Sequence, residues 1–206
     1  MSKQTEKDYS VPSLGTRKIP SPIKMSTQDG DMFANYVSDD EKILYHIEGI
    51  VGEHQQVCFD PHELLEKAGP REKIYFNPKH VHAAIVTCGG LCPGLNNVIR
   101  PVVRCLWYRS GIRRITGIQN GYRGFLPETG FEPLELDPEI VDDIQTKGGT
   151  ILKSARGGGD RVEEIADAIE RMNISMLFTI GGDGTQRGAL EVAEELERRK
   201  LNISII

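Results

Sequence analysis

Between Ala83 and Ile206, short apolar runs alternate with helix-periodic segments, and most of the junctions are rich in glycine. "AAIVTC" (83–88), "RRITGIQ" (113–119), "ISMLFTI" (174–180) and "NISII" (202–206) read as strands. The first and third are too short for helices and too continuously apolar for a strand with one wet face, which is how strands buried on both sides read. Between them, "LNNVIRPVVRCLWY" sets Leu95, Val98, Ile99, Val102 and Leu106 at helical spacing. Pro101 fits if that helix begins near Asn96 or Asn97, because an N–H missing from the first turn costs no bond. "PEIVDDIQ" (138–145) reads as helical. "DRVEEIADAIERMN" opens with Asp160 and Glu163 at capping-box spacing and gathers Val162, Ile165, Ala166, Ile169 and Met172 on one face. A last helix is expected over Thr185–Lys200, with Ala189, Val192, Ala193 and Leu196 inward. Strands alternating with helices imply right-handed crossovers, and so an α/β fold with a doubly wound parallel sheet.

The preceding 80 residues differ. Met1 to about Asp40 is polar, contains Pro12, Pro20 and Pro22, and shows no sustained periodicity, as expected of a mobile arm. Apolar residues return from Glu41 to Lys79 (Ile43, Leu44, Ile47, Ile50, Val51, Leu64, Leu65), enough for short packed elements. The expected division is therefore an irregular extension over 1–80 and one α/β lobe over 81–206. No motif in the extension carries chemistry, so it reads as a surface wrap or an oligomer contact.

Charge and apolar patterning narrow the function classes. A net charge of −5 without a basic block argues against nucleic acid as the main partner. No apolar run approaches the ~20 residues of a membrane span, and the first residues lack a signal-peptide core, so a cytoplasmic location is expected. The four cysteines (Cys58, Cys88, Cys92, Cys105) form no CxxC pair and read as free thiols. His54, Cys58 and His62 recur every four residues, but Pro61 interrupts the helix that would align them on a metal.

The chemistry lies in three glycine-rich loops, each following a strand or strand-like run and opening a helix. They are "CGGLCPGLNN" (88–97), "KSARGGGDR" (153–161) and "GGDGT" (181–185). Loops of this kind present bare backbone N–H groups and the positive end of a helix, which is how proteins hold phosphate. Ligands of such sheets sit beyond the carboxyl ends of the strands. Asp183 is repelled by phosphate, so its place among these glycines makes sense if Mg²⁺ lies between them, taking carboxylate and phosphate oxygens together. Lys153, Arg156 and Arg161 supply cations for a transferring phosphoryl group. A dinucleotide-binding dehydrogenase fits less well, because "GGLCPG" does not have GxGxxG spacing.

Four ordered stretches, "GGLCPGLNNVIRPVVR", "GYRGF", "GGTILKSARGGGD" and "IGGDGTQRGA", resemble the amino-terminal lobe of 6-phosphofructokinases, in the ATP-dependent branch with a long amino-terminal extension. The resemblance covers Ala83–Ile206. NAD kinases and diacylglycerol kinases share a GGDGT-like motif but lack the "GGLCPGLN" and "SARGGGD" elements, and a non-catalytic nucleotide-binding module is a further alternative. The resemblance implies a Rossmann-like nucleotide lobe and transfer of the ATP γ-phosphoryl group to the 1-hydroxyl of fructose 6-phosphate in glycolysis. It places Gly90 against the donor phosphates and Arg156 and Gly157 on the nucleotide, with Arg156 steadying the moving phosphoryl group. Gly182, Asp183, Gly184 and Thr185 become the ATP loop, with Asp183 the Mg²⁺ ligand and Gly184 the selector of ATP over pyrophosphate. Tyr122 falls near the nucleotide. Arg100 and Arg104 fall where some bacterial relatives bind phosphorylated effectors, and such enzymes assemble as dimers or tetramers. The family's catalytic aspartate, in "TIDND", is expected beyond Ile206. On this reading the present residues supply the Mg·ATP side of the reaction and do not turn over fructose 6-phosphate alone.

Overall fold

A computed structural model describes residues 9, 11–28, 30–45, 50–51, 57–58 and 64–206. The His54–Cys58–His62 spacing lies outside these residues except for the backbone of Cys58. The chain divides into two units, Met1–Tyr75 and Phe76–Ile206.

The first unit consists of short antiparallel pairs. Strand β1 (Ile19–Pro20) and strands β2 (Lys42–Leu44), β3 (Ile50–Val51), β4 (Val57–Cys58), β5 (Leu64–Glu66) and β6 (Lys73–Ile74) pair as β1–β6, β2–β5 and β3–β4. Two- and three-residue strands bring few ladder bonds, and side chains add to them. Arg71 Nε donates to Asp39 Oδ1 at 2.8 Å, its Nη2 reaches Glu66 at 3.3 Å, and Arg17 joins both carboxylates. Within the polar stretch before residue 40, the Tyr36 hydroxyl donates to Ile23 O at 2.5 Å, and Ser26 bonds Asp31.

The second unit holds the parallel sheet. In chain order it runs β7 (His82–Thr87), α1 (Leu95–Arg104), β8 (Arg114–Ile118), β9 (Leu134–Glu135), α2 (Val162–Arg171), β10 (Met176–Ile180), α3 (Asp183–Arg198) and β11 (Ser204–Ile205). The strand order is β11-β10-β7-β8-β9, parallel except for β9, which pairs antiparallel with β8. All six residues of β7 are buried, as the unbroken apolar run requires of a central strand. Alternate residues serve the two faces. Ala84 and Val86 pack with Ile165, Ile169, Val192 and Leu196 of α2 and α3. Ala83 and Ile85 pack with Ile99 and Val103 of α1, together with Leu106, Val141, Ile144 and Leu152. Helices on both faces make the sheet doubly wound, as the alternation implies.

The structure departs from five local expectations. Helix α1 begins at Leu95, so Pro101 lies inside it and not in its first turn. Its start is fixed from outside: Gly94, at φ 94°, turns the chain, and the buried Asn96 is clamped by Ile151 N–H (2.9 Å) and Lys147 O (3.0 Å). The inward stripe is Leu95, Ile99, Val103 and Leu106, while Val98 is exposed. The chain then continues through a π-helical turn, Cys105–Arg109. "PEIVDDIQ" forms turns and a single 3₁₀ turn (Ile144–Thr146), although Asp137 Oδ1 takes both Glu139 N–H and Ile140 N–H at 2.8 Å, the bonds of a helix N-cap. The capping box at Asp160 does not form: α2 starts after Arg161, with no side-chain cap. Helix α3 starts two residues earlier than expected, which brings Asp183 into its first turn.

One buried group makes the fold sensitive to acid. His82, 3 % exposed at the start of β7, bonds Met172 O through Nδ1 (2.9 Å) and Thr116 Oγ1 through Nε2 (2.8 Å). A carbonyl only accepts, so Nδ1 carries the proton, Nε2 accepts from the threonine, and the neutral ring satisfies both. Burial, with nearby Arg114, lowers its pKa from the ordinary 6.5. Below about pH 6.5 the unfolded chain therefore binds a proton that the folded chain refuses, and this stability is present above 6.5 and lost as pH falls. Thermal melts at about pH 7.5 and 5.5 are expected to show a lower Tm in acid, and His82→Gln is expected to flatten that difference. An unchanged pH slope in the variant would remove His82 from the account.

Candidate nucleotide-binding site

From β7 the chain crosses through α1 to β8 on one side, whereas from β10 it crosses through α3 to β11 on the other. Adjacent strands whose connections diverge leave a crevice at their carboxyl ends, where ligands of doubly wound sheets bind. The first and third glycine loops leave the ends of β7 and β10. The second is reached differently from what the sequence suggested: Ile151 and Leu152 lie in a turn and form no strand.

Backbone bonds tie the three loops into one surface. Cys88 N–H donates to Ile180 O at 2.9 Å, holding the start of the first loop against the end of β10, where the third loop begins. Gly89 N–H donates to Ala155 O at 3.0 Å, and Ser154 Oγ returns a bond to Gly89 O at 2.7 Å, joining the first loop to the second. Thr87 Oγ1, at the end of β7, donates to Lys153 O at 2.7 Å. Neither Thr87 nor Ser154 stands out in the sequence as a site residue. The only signal is a hydroxyl at the carboxyl end of a strand and another within the second loop.

The glycines fall into two classes. At Gly181 a Cβ would lie 2.6 Å from Thr185 Cβ and 2.8 Å from Cys88 O, so this glycine is required by the fold. At Gly157, Gly182 and Gly184 a Cβ would meet nothing within 4 Å, and these are the positions that face open space. Gly181→Ala is therefore expected to cost about 1–3 kcal/mol as overpacking, whereas Gly184→Ala leaves stability nearly unchanged. Thermal melts of the two variants measure the difference, and equal melting temperatures would contradict the assignment.

Helix α3 points its first turn at this space. Gly182 O accepts Thr185 N–H (2.9 Å) and Gln186 N–H (3.0 Å), while the N–H groups of Asp183 and Gly184 precede the helical ladder and point away from it. Asp183 is exposed among them, and Thr185 is buried. Across the crevice, the Arg156 guanidinium lies over Gly90, with Nη2 3.6 Å from where a Cβ would stand, and Gly157 follows at φ 80°. Gly90, Arg156, Gly157, Gly182, Asp183, Gly184 and Thr185 all lie on these three interlocked loops.

Two expected contributors are engaged within the protein. Arg161 is held by Glu128 and Glu164, so its charge is already neutralised. Tyr122 is 3 % exposed, and its hydroxyl donates to Thr185 O at 2.8 Å. Its ring lies where a Cβ on Gly188 or Gly159 would come within 3.0 Å or 3.2 Å. It braces the second loop at Gly159, the third loop at Thr185 and α3 at Gly188. Burial raises the pKa of its phenol, and burial pushes the neighbouring Cys88 thiol up to about 12, which keeps Cys88 a protonated filler. Arg100 and Arg104 both approach Asp142, at 3.6 Å and 3.5 Å.

A phosphofructokinase family profile matches residues 82–206. The chain belongs to the phosphofructokinase family. The match begins at the first residue of β7 and takes in all three loops of the crevice. The ATP-dependent 6-phosphofructokinase of Borreliella burgdorferi is 49% identical over 208 residues, covering 99% of this chain and 44% of that protein. ATP-dependent 6-phosphofructokinase 7 of Arabidopsis thaliana is 46% identical over 203 residues, covering 97% of this chain and 38% of that protein. The chain thus spans less than half the length of these phosphofructokinases. The first unit lies almost wholly within these alignments, so it too has counterparts in relatives. Among solved structures, a Pichia pastoris phosphofructokinase in the T-state matches with TM-score 0.53 and 23% identity, covering 69% of this chain and 17% of that one. A pyrophosphate-dependent phosphofructokinase of Marinobacter aquaeolei matches with TM-score 0.53 and 19% identity, covering 61% and 32%. At such identities the likeness shows the phosphofructokinase fold alone.

Proposed function

We propose that this chain forms the Mg·ATP-binding part of an ATP-dependent 6-phosphofructokinase, which transfers the γ-phosphoryl group to the 1-hydroxyl of fructose 6-phosphate. The observation that carries the proposal is the joining of three glycine loops at the carboxyl ends of β7 and β10, with open space over Gly157, Gly182 and Gly184. The N-terminal N–H groups of α3 bind phosphate oxygens there, and Arg156, over Gly90, supplies a cation whose value grows as charge spreads over the moving phosphoryl group.

Asp183 is the residue that would hold Mg²⁺. Among the described residues no three His, Cys, Asp or Glu side chains gather to bind a metal. A single exposed carboxylate fits a hard cation that takes its other oxygens from nucleotide and water. When bound, Mg²⁺ neutralises phosphate charge and polarises the transferring group. The bond from the Tyr122 hydroxyl to Thr185 O keeps this loop in register from the core side.

Calorimetric titration of the 206-residue chain with Mg·ATP tests the donor site, and absence of binding would overturn it. The acceptor is tested in a phosphofructokinase of the relatives' length that carries this segment. ADP release there is expected to depend on fructose 6-phosphate, and release indifferent to that sugar would overturn the assignment.

A further inference from the structure

The second loop carries three cations, of which Arg161 is held by carboxylates and Arg156 lies over Gly90. Lys153 has neither engagement, and its backbone is unusual. Its φ is 57°, in the left-handed region that disfavours residues with a Cβ, asparagine and aspartate least. An exposed lysine gains no packing from this conformation, and glycine or asparagine adopts it with less strain.

The fold enforces the conformation from both sides. Lys153 N–H donates to Thr150 O at 3.1 Å, and Lys153 O accepts from Thr87 Oγ1 at 2.7 Å. Thr87 ends β7, so Lys153 is pinned at the carboxyl edge of the sheet, on the side of the crevice. One residue later, Ser154 is bonded to Gly89 of the first loop. Among the described residues no carboxylate pairs with the lysine. Backbone strain retained at a ligand-facing edge, under a cation left unneutralised, points to a residue kept for its side chain.

We infer that Lys153 is a binding residue for the polyphosphate of the donor, adding a flexible point charge beside the planar guanidinium of Arg156. This rests on the nucleotide reading of the crevice. Lys153→Asn removes the charge and suits the left-handed conformation, and Lys153→Arg restores a charge. The 206-residue wild-type chain and both variants are titrated with Mg·ATP and with AMP, and melted in parallel. Lys153→Asn is expected to keep or raise Tm while weakening Mg·ATP binding about 10-fold, with less effect on AMP, and Lys153→Arg to recover most of the loss. Wild-type affinity in Lys153→Asn would overturn the inference, as would equal weakness of both variants or a loss explained by a lower Tm. A wild-type chain that binds neither nucleotide would overturn the crevice reading itself, which separates the two failures.

Discussion

Asp183→Asn is expected to remove the Mg²⁺-dependent part of ATP binding, raising the Kd for Mg·ATP by about 100-fold or more while changing the affinity for metal-free ATP little. The side chain is exposed in the first turn of α3, and no other acid among the described residues forms a metal cluster with it. Loss of an outer partner of a metal ligand already costs 10–100-fold in metal affinity, and a direct ligand costs at least that. An acid at a helix N-terminus also stabilises the helix by about 0.3–1 kcal/mol, so the variant is expected to lose only a little stability. Calorimetric titration with and without Mg²⁺ separates the two effects. If the variant retains the full Mg²⁺ enhancement, Asp183 is not the metal ligand. In an active phosphofructokinase carrying this segment, the same change is expected to lower turnover by several orders of magnitude, because positioning and charge neutralisation make up most of phosphoryl-transfer catalysis.

Gly184→Asp is expected to convert the site from one that accepts ATP to one that rejects it, with at least a 100-fold loss of Mg·ATP affinity and a smaller loss, or a gain, for Mg·pyrophosphate. The structure makes this substitution unusually interpretable. A Cβ at Gly184 would meet nothing within 4 Å, and its φ is not in the left-handed region, so the aspartate neither clashes with the protein nor strains the chain. What it changes is the space and charge offered to the ligand beyond the terminal phosphates: a second carboxylate beside Asp183 repels the extra phosphate and blocks the nucleoside. A melting temperature close to wild type together with a changed donor ratio is the expected outcome. An unchanged ratio of ATP to pyrophosphate affinity would show that the nucleoside does not pass over Gly184.

These expectations depend on glycines that look alike in sequence and differ in space. In "GGDGT" nothing in the residue string separates Gly181, which packs against Thr185 and Cys88, from Gly182 and Gly184, which face open space. The distinction comes from how the turn folds Thr185 back over Gly181 and from Cys88, more than ninety positions away in the chain, and neither is written in the glycine pattern.

The sequence by itself determined the alternation of elements, the two-sided burial of β7 and the three glycine loops that we propose as one ligand site. Each of these is a matter of local pattern: an apolar run too short for a helix, a stripe of period 3.6, and glycines between them. It also singled out Asp183, because an acid among glycines of the kind that binds phosphate calls for a metal. The tertiary structure alone decided where helices begin, since Asn96 is clamped by residues 147 and 151 and so carries Pro101 into the interior of α1. It decided that "PEIVDDIQ" forms turns where its periodicity suggested a helix, with Val141 and Ile144 of those turns buried in the core against α1. It also sorted the cations of the second loop, neutralising Arg161 with Glu128 and Glu164 while leaving Arg156 over Gly90. A charge in a sequence does not reveal its partner, because the partner is chosen by packing between distant segments.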